Sequence, residues 1–594
     1  MKPYTIVILI LILILSTSGC NTSVENPAIT PDELRDHVAY LASDELGGRY
    51  PGTDGAEKAA GYIRDQFKEA GLRLFQDSGY QSFSVTMGQK PGKNNALFIE
   101  GQAFRMGEHY IPMPFSGNGK HSGEVIFAGY GLQTGARGFT WDDYSDTDVT
   151  GRWVMILRGA PPKDRLRRYF MGSTRDREKA LTAKDQGAAG ILFVSGFHYD
   201  STDHLVNPRI KKGNIEIPAL HITRGTANRI LAEKTIRGLE EKITRQEEPH
   251  TFQLTRKVTA SCDLDPIQAT ARNVVGLLKS TADQSSDRYI VMGGHYDHLG
   301  MGGEGTGSRR PDTSAIHNGA DDNASGIAAM MEIAEKVAKK RDSLQSHFIF
   351  VAFDAEEMGL LGSRHFMSHP PVSPDSIEAM INLDMIGRLR DEGSLQVGGI
   401  GTAAESEQII RQLNDTSGFK LGLTREGYGP SDHSSFYSKD IPVFFFSTGP
   451  HLDYHTPADD PEKLNYPGLR KVSGLVYRLS LRLASLDSGL TFREAGPRMD
   501  QQQARHGEEM KVTLGIMPDF AGVVKKGLRA DLVIEDKPAD RAGMENGDII
   551  TAIEGKGISD IYDYMDRMSE FRPGETITVE VLRDEKKKVL MVQL

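Results

Sequence analysis

Cysteine is almost missing from this sequence: there are two, Cys20 and Cys262, in 594 residues. A disulfide framework is therefore excluded, and burial of apolar surface has to carry stability. A basic surplus is also lacking, since the formal net charge is −11. That excludes the concentrated cationic face of a phosphate-backbone binder, so no nucleic-acid partner is expected. The basic run Lys163, Arg165, Arg167 and Arg168 is broken by Asp164 and reads as a solvated face or loop. Long apolar runs are absent as well. The one candidate, Ile6 to Leu15, is shorter than the about 20 residues that a membrane-spanning helix needs. What remains, 38% hydrophobic and 25% charged, is the composition of ordinary globular protein, and the length favours about three domains over one core.

The apolar run sits in MKPYTIVILILILILSTSGC, with one lysine before it and small residues after it, the layout of a secretory signal. Ending in Ser18, Gly19 and Cys20, it resembles a bacterial lipoprotein signal, although Thr17 stands where such signals usually carry leucine. The resemblance implies that residues 1–20 are a signal peptide, that Cys20 is acylated, and that the mature protein is exported and membrane-anchored. Asn21 is not the aspartate that often holds lipoproteins in the inner membrane, so the periplasmic face or the outer membrane is expected. Cys262 is then a buried, inert thiol.

Residues 29–115 open on Thr30-Pro31-Asp32-Glu33, a helix start with a threonine cap and proline in the first turn. A second helix is predicted over 55–71, where Ala59, Tyr62, Ile63 and Phe67 recur at helical spacing. Between them, SDELGGRYPGTDG reads as a glycine-rich turn. Residues 116–266 read as short strands with one or two helices, one of them over 174–187. From 267 to 488 the pattern is strand, loop, helix, repeated: NVVGLL, YIVMGGH, a helix over 324–340, HFIFVAFD, AMINLDM, IPVFFFST. That alternation predicts an α/β unit with a mixed, mostly parallel sheet and its active groups at the carboxyl ends of strands. Residues 489–507 read as a linker, and 508–594 as a further domain.

The stretch from Val291 to Gly326 sets His295, Asp297 and Asp322 around a glycine-rich loop that ends in a helix start. It reads as half of a metal site. Imidazole and carboxylate need three or four partners to hold a divalent ion, and more candidates follow: Glu356 and Glu357 after HFIFVAFDA, Asp384 after AMINL, and His455 in LDYHTPADD. Each follows an apolar strand or borders a helix start, so one rim of the sheet would gather them.

The motifs GGHYDHLG, NGADDNASG, FDAEEMGLLGS, INLDMIG, PSDHSSF and DYHTPADD together resemble the co-catalytic di-zinc metallopeptidases that include secreted leucine aminopeptidases and glutamate carboxypeptidase. The resemblance covers 29–115 and 267–488 and implies a zinc-exopeptidase-like sheet with helices on both faces. It implies two zinc ions per chain bridged by Asp322, with Glu357 and His455 completing one site and His295 and Asp384 the other. Glu356 would be the general base acting on a metal-bridging water. Asp297 would accept the free ring N–H of His295, Asp432 and His433 would support the site, and Tyr454 would face the oxyanion. His298 and His317 are assigned to the loop. The expected activity is that of an aminopeptidase on peptide substrates. A carboxypeptidase or dipeptidase, for which Arg388 and Arg390 would hold a substrate carboxylate, is the alternative, as are an inert peptide-binding protein and an aminoacyl cyclase.

Two further resemblances concern the flanking units. ALTAKDQGAAGILFVS and Ile217 to Thr223 are similar to a protease-associated domain, here an insertion over 116–266 that would shape the substrate cleft. Pro538, Ala542, Gly543, Gly547, Asp548, Ile549 and Ile550 resemble a PDZ domain, with Leu514, Gly515 and Ile516 where its carboxylate-binding loop would be. That implies a peptide or protein ligand added as a strand.

Overall fold

The computed structural model describes residues 28–594 apart from 137–138, 146, 164–169, 171–173, 209–214, 284, 304, 497–511, 519–526, 535–536, 559–562, 565–566, 569–570 and 573. Residues 1–20, read above as a signal peptide ending in Cys20, lie outside the described residues. No described helix is long and apolar enough to cross a membrane.

The apolar runs form the centre of a nine-stranded sheet. Its order is Arg73–Leu74, Leu264–Leu278, His347–Phe353, Tyr289–His295, Ile377–Leu383, Val443–Ser447, Ser394–Gly398 and Lys420–Leu423, and Tyr80–Pro91 also pairs with Leu264–Leu278. The four central strands from 347–353 to 443–447 run parallel. The 264–278 strand joins them antiparallel on one side and the 394–398 strand on the other. The sheet is therefore mixed, with a parallel centre whose strands are buried along their whole length, as coverage of both faces requires.

Alternation along each strand separates two cores. Ile290, Met292, Phe348 and Phe350 face the helices Pro31–Leu41, Asp54–Glu69, Gly326–Ala338 and Tyr466–Ala484. Val291, Ile349 and Val351 face Phe366 of Leu361–Ser368 and Phe436 of His433–Tyr437. The first helix starts as its sequence dictates: Thr30 accepts from the Glu33 amide at 3.2 Å, and Glu33 accepts from the Thr30 amide at 3.0 Å.

The inserted unit has its own eight-stranded sheet, and its boundaries differ from those expected. Strands Ala96–Ile99, Gln102–Phe104 and Tyr110–Pro112 belong to it, with Thr251–Cys262, Gly119–Ala128, Trp153–Leu157, Gly190–Val194 and Ala219–Ile222. Residues 96–115 therefore leave the first unit, because their partners are the 251–262 and 219–222 strands. At the other end the sheets change between Cys262 and Leu264, since the 264–278 strand pairs with 80–91 from Leu264 onward. Cys262 is buried, its thiol pushed up to about 12 by that burial.

Residues 489–496 are not a free linker. Backbone bonds Ala404 N to Thr491 O (3.1 Å), Arg493 N to Thr402 O (2.8 Å) and Gly427 N to Ala495 O (2.9 Å) strap them onto the first unit. The last unit pairs Ile516–Pro518, Leu528–Val533, Ile549–Ile553, Thr576–Arg583 and Lys586–Gln593 in a further sheet. Leu514 and Ile516 are buried in its core, and Gly515 takes φ +76° while its carbonyl accepts from Ile534 at 2.9 Å.

Candidate metal centre

Asp322 stands between two histidines. Its Oδ1 lies 3.2 Å from His295 Nε2, and its Oδ2 lies 3.2 Å from His455 Nε2. His295 ends the 289–295 strand, and its Nε2 is also 3.6 Å from Asp384 Oδ1, one residue past the 377–383 strand. On the other side, His455 Nε2 is 3.2 Å from Glu357 Oε2. Two donor groups thus meet on one bridging carboxylate, as the carboxyl ends of parallel neighbouring strands allow.

Asp322 does not sit in a regular helix start. Residues 320–325 form a wide turn in which Asp322 and Asn323 leave helical geometry, and the helix begins at Gly326. Two side chains and a glycine fix the turn. Asp459 Oδ2 accepts from the amides of Asp321 and Asp322 at 2.9 and 3.1 Å. Asn323 donates to Leu383 O at 2.8 Å and accepts from Gly326 at 3.1 Å. Gly319, at φ +57°, has no room for a side chain: a Cβ there would lie 2.2 Å from Asp322 O.

Neighbouring groups orient each ligand. His295 Nδ1 lies 3.1 Å from the backbone carbonyl of Asp297, while the Asp297 carboxylate is 3.7 Å away. The expected role of that carboxylate is therefore corrected: it accepts from the amides of Glu356 at 3.0 Å and Glu357 at 3.3 Å and so holds the glutamate turn. His455 Nδ1 lies 3.1 Å from Gly307 O, which turns Nε2 inward. Ser431 donates to Asp384 Oδ2 at 2.7 Å.

His298 is also corrected. It is fully buried, not a plain loop histidine, and its Nδ1 lies 2.8 Å from Glu357 Oε1 and 3.8 Å from Asp322 Oδ2. His317 stays in the loop, bonded to Ser308 and the Ala315 carbonyl. Arg388 is not offered to a ligand: it pairs with Asp453 at 2.9 Å and Asp459 at 3.5 Å. Arg390 donates to the Pro450 carbonyl at 3.2 Å from an exposed position. Tyr454 stacks on His455 with ring centres 3.9 Å apart. His433 stacks on Phe445 at 4.6 Å, and burial pushes its pKa down to about 3, so it packs as a neutral ring. Asp432 is fully buried, pushed up to about 7 by that burial against the opposing pull of His295.

Arg49 was invisible in the sequence. It is 1% exposed and donates to four backbone carbonyls: Tyr296 (2.6 Å), Asn318 (2.6 Å), Gly319 (3.0 Å) and Leu41. Its guanidinium ties both ends of the glycine-rich loop to the first helix.

The electrostatics suit dications. Burial alone would depress His295 and His455, but the carboxylates of Glu356, Asp384 and Asp322 raise the first well above its usual range, and Glu357 with Asp322 takes the second to about 11. Carboxylates that hold protons so firmly on two imidazoles form an acidic excess that wants positive charge. Imidazole nitrogen and carboxylate oxygen are the donors zinc takes. Glu356, half-buried, is raised well above the carboxylate range by burial and then by Glu357, Asp432 and Asp384, with His295 opposing.

Residues 273–480 match the model of peptidase family M28, 122–230 that of the PA domain and 503–594 that of the PDZ domain. The aminopeptidase YwaD of Bacillus subtilis is 25% identical over 448 residues, 73% of this chain and 81% of that protein. A probable zinc metalloprotease of Pyrenophora tritici-repentis is 35% identical over 127 residues, 21% of this chain but only 26% of its own length. An aminopeptidase structure from Aneurinibacillus sp. strain AM-1 is 21% identical with a TM-score of 0.45, covering 78% of this chain and 95% of that one. The chain thus carries a segment, 273–480, that matches peptidase family M28, together with a PA domain and a PDZ domain.

Proposed function

We propose that this protein is an exported zinc aminopeptidase that uses two zinc ions per chain. One observation carries the reading: Asp322 offers one oxygen to each of two histidines, buried His295 and half-buried His455, each of which also faces a second carboxylate. Asp322, His295 and Asp384 would hold one ion, and Asp322, His455 and Glu357 the other, with His298 beside Glu357. Zinc bound there would polarise the scissile carbonyl and make a water acidic enough to act as nucleophile at neutral pH. Glu356 would take that water's proton and return it to the leaving amine, a role suited to a carboxyl whose pKa already sits above its usual range. Asp297 holds the backbone of Glu356, and Tyr454, packed on His455, would meet the developing oxyanion.

Recognition of a free amine, not a carboxylate, is supported by the engagement of Arg388 with Asp453 and Asp459. The names of the relatives point the same way. Export with an acyl anchor at Cys20 completes the reading, with the PDZ unit docking a peptide or protein through Leu514, Gly515 and Ile516. The test is a panel of peptides with free and N-acetylated termini. Cleavage of free peptides alone is expected, with turnover lost in Glu356→Ala; equal cleavage of blocked peptides would sink the aminopeptidase assignment, and retained turnover would sink the base.

A further inference from the structure

On the helical side of the peptidase unit lies a hollow of about 430 Å³ walled by Lys336, Ser417, Arg470, Lys471, Tyr477 and Arg478, with Ala28 and Ile29 at its edge. Among the described residues no carboxylate lines it, although the chain as a whole carries a net charge of −11. Lys336 is answered by Glu332 and Glu335 at 3.6 and 3.3 Å. Arg470, Lys471 and Arg478 form no ion pair among the described residues. Arg478 donates to Ser417 Oγ, but its Nε is buried without a hydrogen-bond partner. Arg470 reaches only the Ile29 carbonyl, at 3.3 Å, and Lys471 lies over the Phe419 ring at 4.5 Å. A buried donor left unmet is costly, and guanidinium forks match the oxygens of phosphate. The hollow therefore presents donors that suit an anion with several acceptors.

We propose that this hollow binds the phosphate of an anionic phospholipid headgroup. The lipid source follows from position. Ile29, on the wall of the hollow, comes nine residues after Cys20, a tether of at most about 32 Å when extended. This rests on the reading of Cys20 as the acylated residue. The hollow also lies along two helices that begin near the metal rim. Gly326 follows Asp322 by four residues, and Tyr466 follows Asn465, whose amide bonds Gly387 beyond Asp384. Arg470 and Lys471 are four and five residues into the second helix, and Lys336 and Arg478 ten and twelve residues into the first and second, so the basic groups are spread about 6 to 18 Å along them at 1.5 Å per residue.

The experiment uses the full chain carrying Cys20→Ser, so that no acyl group contributes. Its partition is measured on vesicles of phosphatidylcholine alone and of phosphatidylcholine with roughly one-third phosphatidylglycerol, the anionic fraction acting through basic groups near the surface. Preference for the anionic vesicles is expected, falling about five-fold for each basic residue removed in Arg470→Ala and Arg478→Ala, with peptidase activity unchanged. Lys471→Glu, at an exposed position, is a second variant and should weaken the preference further. A parent chain that does not distinguish the vesicles, or an Arg470→Ala/Arg478→Ala chain that binds as the parent does, overturns the proposal. Calorimetric saturation by inorganic phosphate without vesicle preference would make the ligand a free phosphate and overturn the lipid assignment. The mass of the N-terminal peptide from the unmutated chain tests the anchor separately.

Discussion

Replacing Arg49 by methionine should loosen the glycine-rich loop at both ends while leaving every proposed zinc ligand in place. The guanidinium serves Leu41, Tyr296, Asn318 and Gly319, all through backbone carbonyls. A bond from a charged donor is worth about 1.5–3 kcal/mol, but the substitution also removes the burial cost that lowers Arg49 to about 10. Breaking a buried charged network by deleting one partner costs about 3–5 kcal/mol net. With urea slopes of about 1–3 kcal/mol/M or more, the midpoint should fall by roughly 1–2 M, read by circular dichroism at fixed zinc. Hydrogen exchange should rise at 296–300 and 317–320. Arg49→Lys should recover only part of the loss, because one ammonium cannot span four carbonyls. An unchanged midpoint in Arg49→Met would refute the clamp.

Asp297→Asn should lower zinc affinity by about 10–100-fold, measured by competition with a chelator, because an amide cannot accept from both the Glu356 and Glu357 N–H groups; unchanged affinity would return Asp297 to a packing role. Gly319→Ala forces a Cβ to 2.2 Å from Asp322 O and 2.6 Å from His298 Cδ2 at φ +57°; thermal unfolding should show a loss of about 1–3 kcal/mol, with weaker zinc binding. Cys262, buried and pushed up to about 12, should resist iodoacetamide in the folded protein and react once unfolded, as peptide mapping would show.

The proposed ligands were legible because apolar runs mark where the parallel strands end, and His295 and Asp384 fall at those ends. Glu357 and His455 stood among the candidates by the same pattern, and the family motifs gave them their roles. Their supports were not legible. A spacing of two residues from His295 to Asp297 fits either a carboxylate or a carbonyl at the ring nitrogen, and the structure uses the carbonyl. Arg49 gave no signal because its partners are carbonyls, three of them 247 to 270 residues away, and a carbonyl has no sequence signature. His298 looked like loop because nothing local announces Glu357 beside it. The inserted unit was misjudged for a similar reason: the 96–99 strand pairs with residues 258–261, a choice made by distant register, not local pattern. Residues 489–496 have linker composition, yet backbone bonds to 402, 404 and 427 hold them down.

The central claim is that Asp322 joins two cation sites in one buried cluster, and the zinc content of purified protein tests it most directly. Two zinc ions per chain are expected in the wild type and in Glu356→Ala, with marked loss from Asp322→Ala, whose product lacks the shared carboxylate. Less than one zinc per chain in the wild type, or two retained without Asp322, would contradict it.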